Sequence, residues 1–403
     1  MTAGKTLPHT TDNSTSMSRQ SILAAFFALL YLVAMVVPDT YIHATYLAPS
    51  GSAMAGALWW LPSAAIVATF AAAQLGIWHN TMFRAFFGLT LVAMLPKLLF
   101  ALLAVTMGWK VGLAAAAALL AAFLYGFVFG WRRIVVRTAT CRSALVPRDF
   151  DGYRIVHLSD LHIGTFLRNP AFIATLADTV SRQRPDMVVF TGDLVNIGAA
   201  ELLPFRKVLS SITAPDGVYS VMGNHDYCLY AQDCTHRVHG RSVTVAERDR
   251  MLLQYMENKM GWRMLMNSNT IIRRGGSTIA IVGVENIGKP PFKSFGNLGK
   301  ALTGLPDGMF KILLSHDPTH WRSGVLNKTD IALTLSGHTH AGQVRLGRFS
   351  PAKWAYNEWG GSYVEGNSML HVSPGIGGTV PFRFGAWPEI NVITLKRPSP
   401  ALP

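Results

Sequence analysis

Cysteine is scarce in this chain: three in 403 residues, at Cys141, Cys228 and Cys234. Three thiols build no disulfide framework, so the composition gives no argument for an oxidising compartment. No second cysteine pair stands at zinc-site spacing, and Cys228 and Cys234 read as plain thiols. Charge is also short, and unevenly so. The first third has almost none, whereas the remainder has the composition of a soluble enzyme, which excludes one ordinary domain. Acidic residues are the scarcer sign, 22 against 36 lysines and arginines, and the formal charge of +14 favours anionic partners such as phosphates or acidic lipid headgroups. A long basic groove and an aromatic stacking platform are both missing from the pattern, so no nucleic acid is expected among those partners. No internal repeat is visible, and no obligate protein partner is evident.

What is there begins with four apolar segments, Ser21 to Val37, Met54 to Trp78, Ala85 to Met107 and Gly112 to Trp131. About 20 apolar residues cross a bilayer, so the last three qualify and the first is slightly short. The first is read as a retained helix rather than a signal peptide, because no clear cleavage site follows it and three spans come after. Lys5, Arg19, Arg84, Arg132, Arg133, Arg137 and Arg142 flank the spans on one side, while the Pro38 to Ala53 loop has no Lys or Arg. That asymmetry predicts a multi-pass protein of the inner (cytoplasmic) membrane with its catalytic domain in the cytoplasm. Lys97 stands inside the third span. It is expected either at a lipid phosphate or satisfied by backbone and interface. The organisation expected is a tail over 1–20, a four-helix transmembrane region over 21–131, a basic linker over 132–150 and a catalytic domain over 151–398.

Beyond the linker, short β-rich runs alternate with amphipathic stretches. RIVHL (Arg154 to Leu158), MVVFT (Met187 to Thr191), VYSVM (Val218 to Met222), TIAIVGV (Thr278 to Val284), KILLS (Lys311 to Ser315) and IALTL (Ile331 to Leu335) read as buried strands. Pro170 to Arg184 and Glu247 to Lys259 read as helices. The fold class is α/β, a layered sandwich preceded by the helical membrane region. Chemistry gathers where strands end: Asp160 and His162 in SDLH, Asp193 in TGD, Asn224, His225 and Asp226 in GNHD, His316 in SHD, His338 and His340 in GHTH. Singly, each is a helix cap or a structural histidine. Five successive strand ends carrying such groups point instead to one site at a sheet edge. The mixed nitrogen and oxygen donors suit two divalent ions, Mn, Fe, Zn or Mg. Two ions about 3.5 to 4 Å apart can activate water and polarise phosphoryl oxygens without a covalent enzyme intermediate.

The series D-x-H, G-D, G-N-H-D, H, G-H-x-H resembles that of the calcineurin-like metallophosphoesterases over roughly Tyr153 to Leu395. The resemblance implies a pair of mixed β-sheets flanked by helices. It also implies a first ion at Asp160, His162 and His340, a second at Asn224, His316 and His338, and Asp193 bridging the two. His225 would be the acid at the leaving group, with Asp226 orienting it. The tail SPGIGGTVPFRFGAWPEI (Ser373 to Ile390) is similar to a membrane-associated bacterial subgroup, some of whose members hydrolyse UDP-2,3-diacylglucosamine. A phosphorylated, lipid-linked substrate is expected; Arg383 would either grip it or form a surface salt bridge, and Arg237 and His239, in the segment after GNHD, would either contact it or stand on a solvated helical hairpin. Phe292 and Phe295 are expected at the bilayer surface. A soluble phosphoester substrate and a non-catalytic scaffold are the alternatives.

Overall fold

The structure is a computed structural model that describes residues 19–230, 235–238, 241–290 and 292–398. It divides into two compact units, 1–121 and 122–403. In the first unit the apolar runs form α1 (Arg19–Ile42), α2 (Ala53–Gln74), α3 (His79–Met107, relaxed through a π turn at Thr90–Met94) and α4 (Trp109–Val128), whose last turns belong to the second unit. Each overlaps a segment long and apolar enough to cross a membrane, the first running from Ala25 to Ser50.

The expected loop from Pro38 is helical instead, since α1 continues through a π turn and a 3-10 turn to Ser50. Asp39 therefore lies inside the bundle. Its carboxylate is buried 2.8 Å from Lys97 Nζ and accepts from Ser63 Oγ, while its carbonyl takes the Trp59 indole N–H at 3.1 Å. Lys97 also sits over the Trp59 ring, 4.1 Å from its centroid. A protein carboxylate thus answers the half-buried ammonium together with the Trp59 backbone carbonyl, 3.4 Å from Nζ, and neither a lipid phosphate nor the interface is needed.

In the second unit the strands are, in chain order, β1 (Val135–Arg142), β2 (Arg154–Leu158), β3 (Met187–Phe190), β4 (Val218–Ser220), β5 (Thr235–Val238), β6 (Arg241–Thr244) and β7 (Trp262–Met264). They continue with β8 (Ser268–Arg274), β9 (Ser277–Gly283), β10 (Lys311–Leu314), β11 (Leu333–Ser336), β12 (Gly361–Glu365), β13 (Ser368–Val372) and β14 (Glu389–Lys396). Two six-stranded sheets result, in the orders β1-β14-β2-β3-β4-β7 and β12-β13-β11-β10-β9-β8. Both are mixed: β2, β3, β4 and β7 run parallel, as do β9, β10, β11 and β13, with antiparallel pairs at β14/β2, β12/β13 and β8/β9.

Alternation along each strand builds the layers. Ile155, Val189, Ile281, Ile312 and Ile393 fill the space between the sheets. The opposite faces, with Val156, Leu158 and Phe190, pack under α5 (Pro170–Arg182) and α6 (Val245–Lys259). The expected linker over 132–150 contains β1, paired in parallel with β14 from Val135↔Glu389 to Arg142↔Lys396. Its arginines disguised it, because an edge strand tolerates exposed cations on its outer face.

Candidate metal centre

Five strand ends converge, three from the first sheet (β2, β3, β4) and two from the second (β10, β11), so the site lies where both sheets end rather than on one sheet. The turns are forced. Asp160, His162, Asp193, His338 and His340 all have positive φ, between 44° and 71°, a region that side-chain-bearing residues rarely occupy. Close approach also demands glycine. A Cβ on Gly223 would collide with the Asp193 carboxylate, and one on Gly337 with Ser159 and Asp160.

Ligand-capable atoms gather in two sets, Asp160, His162, Asp193 and His340, and Asp193, His316 and His338, each within 4.8 Å. Asp193 Oδ2 lies 3.6 Å from His162 Nε2 and 3.2 Å from His316 Nε2. His340 Nε2 is 3.3 Å from His162 Nε2 and 3.5 Å from Asp160 Oδ1, and His338 Nδ1 is 3.2 Å from His316 Nε2. Burial holds His162 at about 3 and His338 at about 4, so both rings are neutral and offer lone pairs. For His316, burial opposes the proton but Asp193 outweighs it, raising the ring to about 10. Asn224 Oδ1 is buried with no hydrogen-bond partner among the described residues. The neutral imidazoles of His162 and His338, the shared Asp193 carboxylate and the unpaired Asn224 oxygen fit divalent cations, whose charge would displace the His316 proton on binding.

The neighbours differ from expectation at two residues. Asp226 does not orient His225. Its Oδ2 accepts the backbone N–H groups of Asp193 and Gly223 (2.6 and 2.9 Å), and its Oδ1 those of Leu194 and Val195 (2.8 and 3.2 Å). The His225 ring is held instead by the Asn196 carbonyl, 2.7 Å from Nδ1. Burial, then Asp193, pushes the Asp226 carboxyl up to about 7.

Arg383 is not free to grip a phosphate. It is fully buried, and its guanidinium donates to the carbonyls of Ala386 (2.9 Å), Pro374 (2.8 Å) and Gly377, with Nη2 3.5 Å from His340 Nδ1. Arg237 lies on β5 of a β-hairpin, and His239 lies outside the described residues. Phe292 meets the His338 ring edge-on at 4.7 Å, and Phe295 stacks on Tyr227 at 4.4 Å, so both turn toward the site.

Sequence reasoning passed over Asp317, buried 3.6 Å from His338 Nε2, although it adjoins His316 in SHD. It also missed Tyr356, whose hydroxyl is 2.9 Å from the same nitrogen, and Tyr230, whose ring lies 4.5 Å from that of His225. Tyr356 carries no motif signal.

The calcineurin-like phosphoesterase pattern matches residues 153–342. The uncharacterized metallophosphoesterase YkuE of Bacillus subtilis is 32% identical over 273 residues, covering 64% of this chain and 84% of that protein. The UDP-2,3-diacylglucosamine pyrophosphatase LpxG of Chlamydia muridarum is 26% identical over 297 residues, 62% of this chain and 86% of the relative. A transmembrane protein with metallophosphoesterase domain from Danio rerio is 30% identical over 261 residues, 62% of this chain and 55% of the relative, so the chain spans about half of that protein. The chain belongs to the calcineurin-like phosphoesterase family. It is a metal-dependent phosphoester hydrolase, and it carries four helices apolar enough to span a bilayer.

Proposed function

We propose that this chain is a dinuclear phosphohydrolase of the inner membrane that cleaves a lipid-linked phosphate ester or pyrophosphate at the cytoplasmic leaflet. The observation that carries the reading is the pair of ligand-capable sets sharing Asp193. Beside Asn224 a cleft of about 240 Å³ is walled by Tyr227, Tyr230, Phe292 and Phe295 with Lys293 at its edge, suited to an apolar or planar group attached to a phosphate. The apolar helices and the named activity of the Chlamydia relative support the lipid-linked class.

Asp160, His162 and His340 would hold one ion, Asn224, His316 and His338 the other, and Asp193 would bridge them. The ions, when bound, supply Lewis acidity toward phosphoryl oxygens and ease the deprotonation of water. The chain's own residues do the rest. The Asn196 carbonyl fixes the His225 proton on Nδ1, which aims Nε2 at a leaving oxygen as a proton donor when the ring is charged. Asp226 holds the Asp193 and Asn224 turns together through backbone N–H groups.

The full chain in detergent, reconstituted with metal, would be screened in parallel against lipid phosphates, UDP-linked lipids, cyclic nucleotides and nitrophenyl esters. Turnover at least tenfold faster on a lipid-linked substrate is expected. A preference for cyclic nucleotides would transfer the enzyme to soluble substrates. In the same preparation, Asp193→Asn should lose more metal and more activity than any single change at a terminal ligand. Retention of both ions with near-normal turnover would end the bridging assignment.

A further inference from the structure

The segment after GHTH, Gln343 to Trp354, carries apolar side chains that nothing in the catalytic site uses. Leu346 and Phe349 pair backbone to backbone across a tight turn at Gly347 and Arg348, with N–H to carbonyl distances of 2.9 and 3.0 Å. Leu346 is 57%, Phe349 43% and Trp354 79% exposed, and Trp354 meets Phe349 edge-on at 5.8 Å. Arg348 and Lys353 stand between them and Arg345 just before, and the sequence has no Asp or Glu from Ile331 to Asn357. Exposed aromatic and aliphatic tips interleaved with cations are costly in water. They match a layer that is apolar below and anionic above.

The fold ties this hairpin to the end of the last apolar helix, all within the second unit. Val344 bridges Phe384, and the Arg345 N–H donates to the Phe384 carbonyl at 2.8 Å. Phe382, two residues earlier, packs against Phe123 and Phe127 of α4 at 5.9 and 4.8 Å between ring centroids. The Arg383 N–H reaches the Gly126 carbonyl at 3.4 Å, an approach that a Cβ on Gly126 or Gly130 would block. The apolar span containing α4 runs to Arg132. At about 1.5 Å per residue, Phe123 lies roughly 13 Å before that end. The loop around Phe382 therefore flanks the final turns of a bilayer-length helix, and the hairpin hangs from that loop by two backbone contacts.

We propose that the hairpin Leu346 to Phe349, with Trp354, is a docking element that dips into the bilayer interface, its cations meeting anionic headgroups. It begins six residues after His340, so docking holds the mouth of the metal centre at headgroup depth. The proposal does not depend on which phosphoester is cleaved, and its test reads position rather than turnover.

The test uses the full chain in vesicles of phosphatidylcholine and phosphatidylglycerol, seven to three, with Cys234→Ser and the buried Cys141 and Cys228 retained. Trp354→Cys is labelled with a nitrobenzoxadiazole dye. A Lys328→Cys control lies before β11, at the strand end opposite the metal centre. Spin-labelled phosphatidylcholine should quench the dye at 354 at least threefold more than at 328, with blue-shifted emission that weakens when phosphatidylglycerol is left out. Phe349→Cys gives the same reading should the first variant misfold. Equal quenching at 354 and 328 overturns the proposal. So does a blue shift without lipid quenching that grows with protein-to-lipid ratio, which would put a second copy of the chain on the hairpin.

Discussion

At the scale of single residues, the metal centre is a set of side chains held by backbone that would rather not be there. His225 and Asp226 separate two duties that adjacency in GNHD merges. With Asn196 setting its tautomer, His225→Ala should keep its metal and lose about 10²- to 10⁴-fold on a poor leaving group, with little loss on a nitrophenyl ester. Equal losses on both substrates, together with reduced metal content, would make His225 a ligand or a structural residue. Asp226→Ala should do the opposite, leaving four backbone N–H groups unpaired and costing about 2 to 4 kcal/mol of stability with metal lost alongside. Thermal unfolding and elemental analysis of the two variants check the contrast. The positions bearing ligand-type side chains were legible because motif spacing marks them. The roles of Asp226 and Arg383 were not, since successive residues of a tight turn diverge in space and the true partner of His225 comes from 29 residues away.

Elements carry a second group of expectations. The pair Asp39 and Lys97 joins α1 to α3 with the carboxylate fully buried, so Lys97→Met should cost about 3 to 5 kcal/mol by stranding it. Adding Asp39→Asn should recover most of it. Unfolding in mixed micelles reads the cycle, and additive losses would show that the two helices are held by other contacts. On α6, Glu257 is buried against Ser220, and burial raises its carboxyl to about 8. The folded state therefore keeps a proton that the unfolded chain releases near 4.5, and stability should fall as pH rises from about 4.5 to 8. Glu257→Gln should flatten that slope and gain on the order of 3 kcal/mol above pH 8, seen as a higher melting temperature in detergent at pH 8.5 than wild type. Six of the fourteen described strands, those that carry or flank the metal centre, were readable from runs of β-branched and apolar residues, as at Ile155 and Val156. β1 was not, because Arg137 and Arg142 gave it the look of a linker, and the helical stretch after Pro38 was hidden because a proline beside an aspartate usually marks a loop.

At the scale of the whole molecule, the lysine and arginine asymmetry predicts that a reporter fused after Arg148 reads as cytoplasmic. An external reading would remove cytoplasmic lipids from the candidate substrates. The strand order carries a further consequence, one of timing. Every residue proposed to hold an ion has been synthesised once His340 leaves the ribosome, yet β14 lies between β1 and β2. Until residues 389–396 emerge, the slot between the edge strand β1 and the rest of the first sheet is unfilled, and β1, made more than 240 residues earlier, has no partner strand. A chain stopped at Pro388 would carry every residue proposed to hold an ion and lack the strand that joins β1 to β2, so it should bind metal poorly and turn over slowly, which elemental analysis and a nitrophenyl ester assay of that truncation would check.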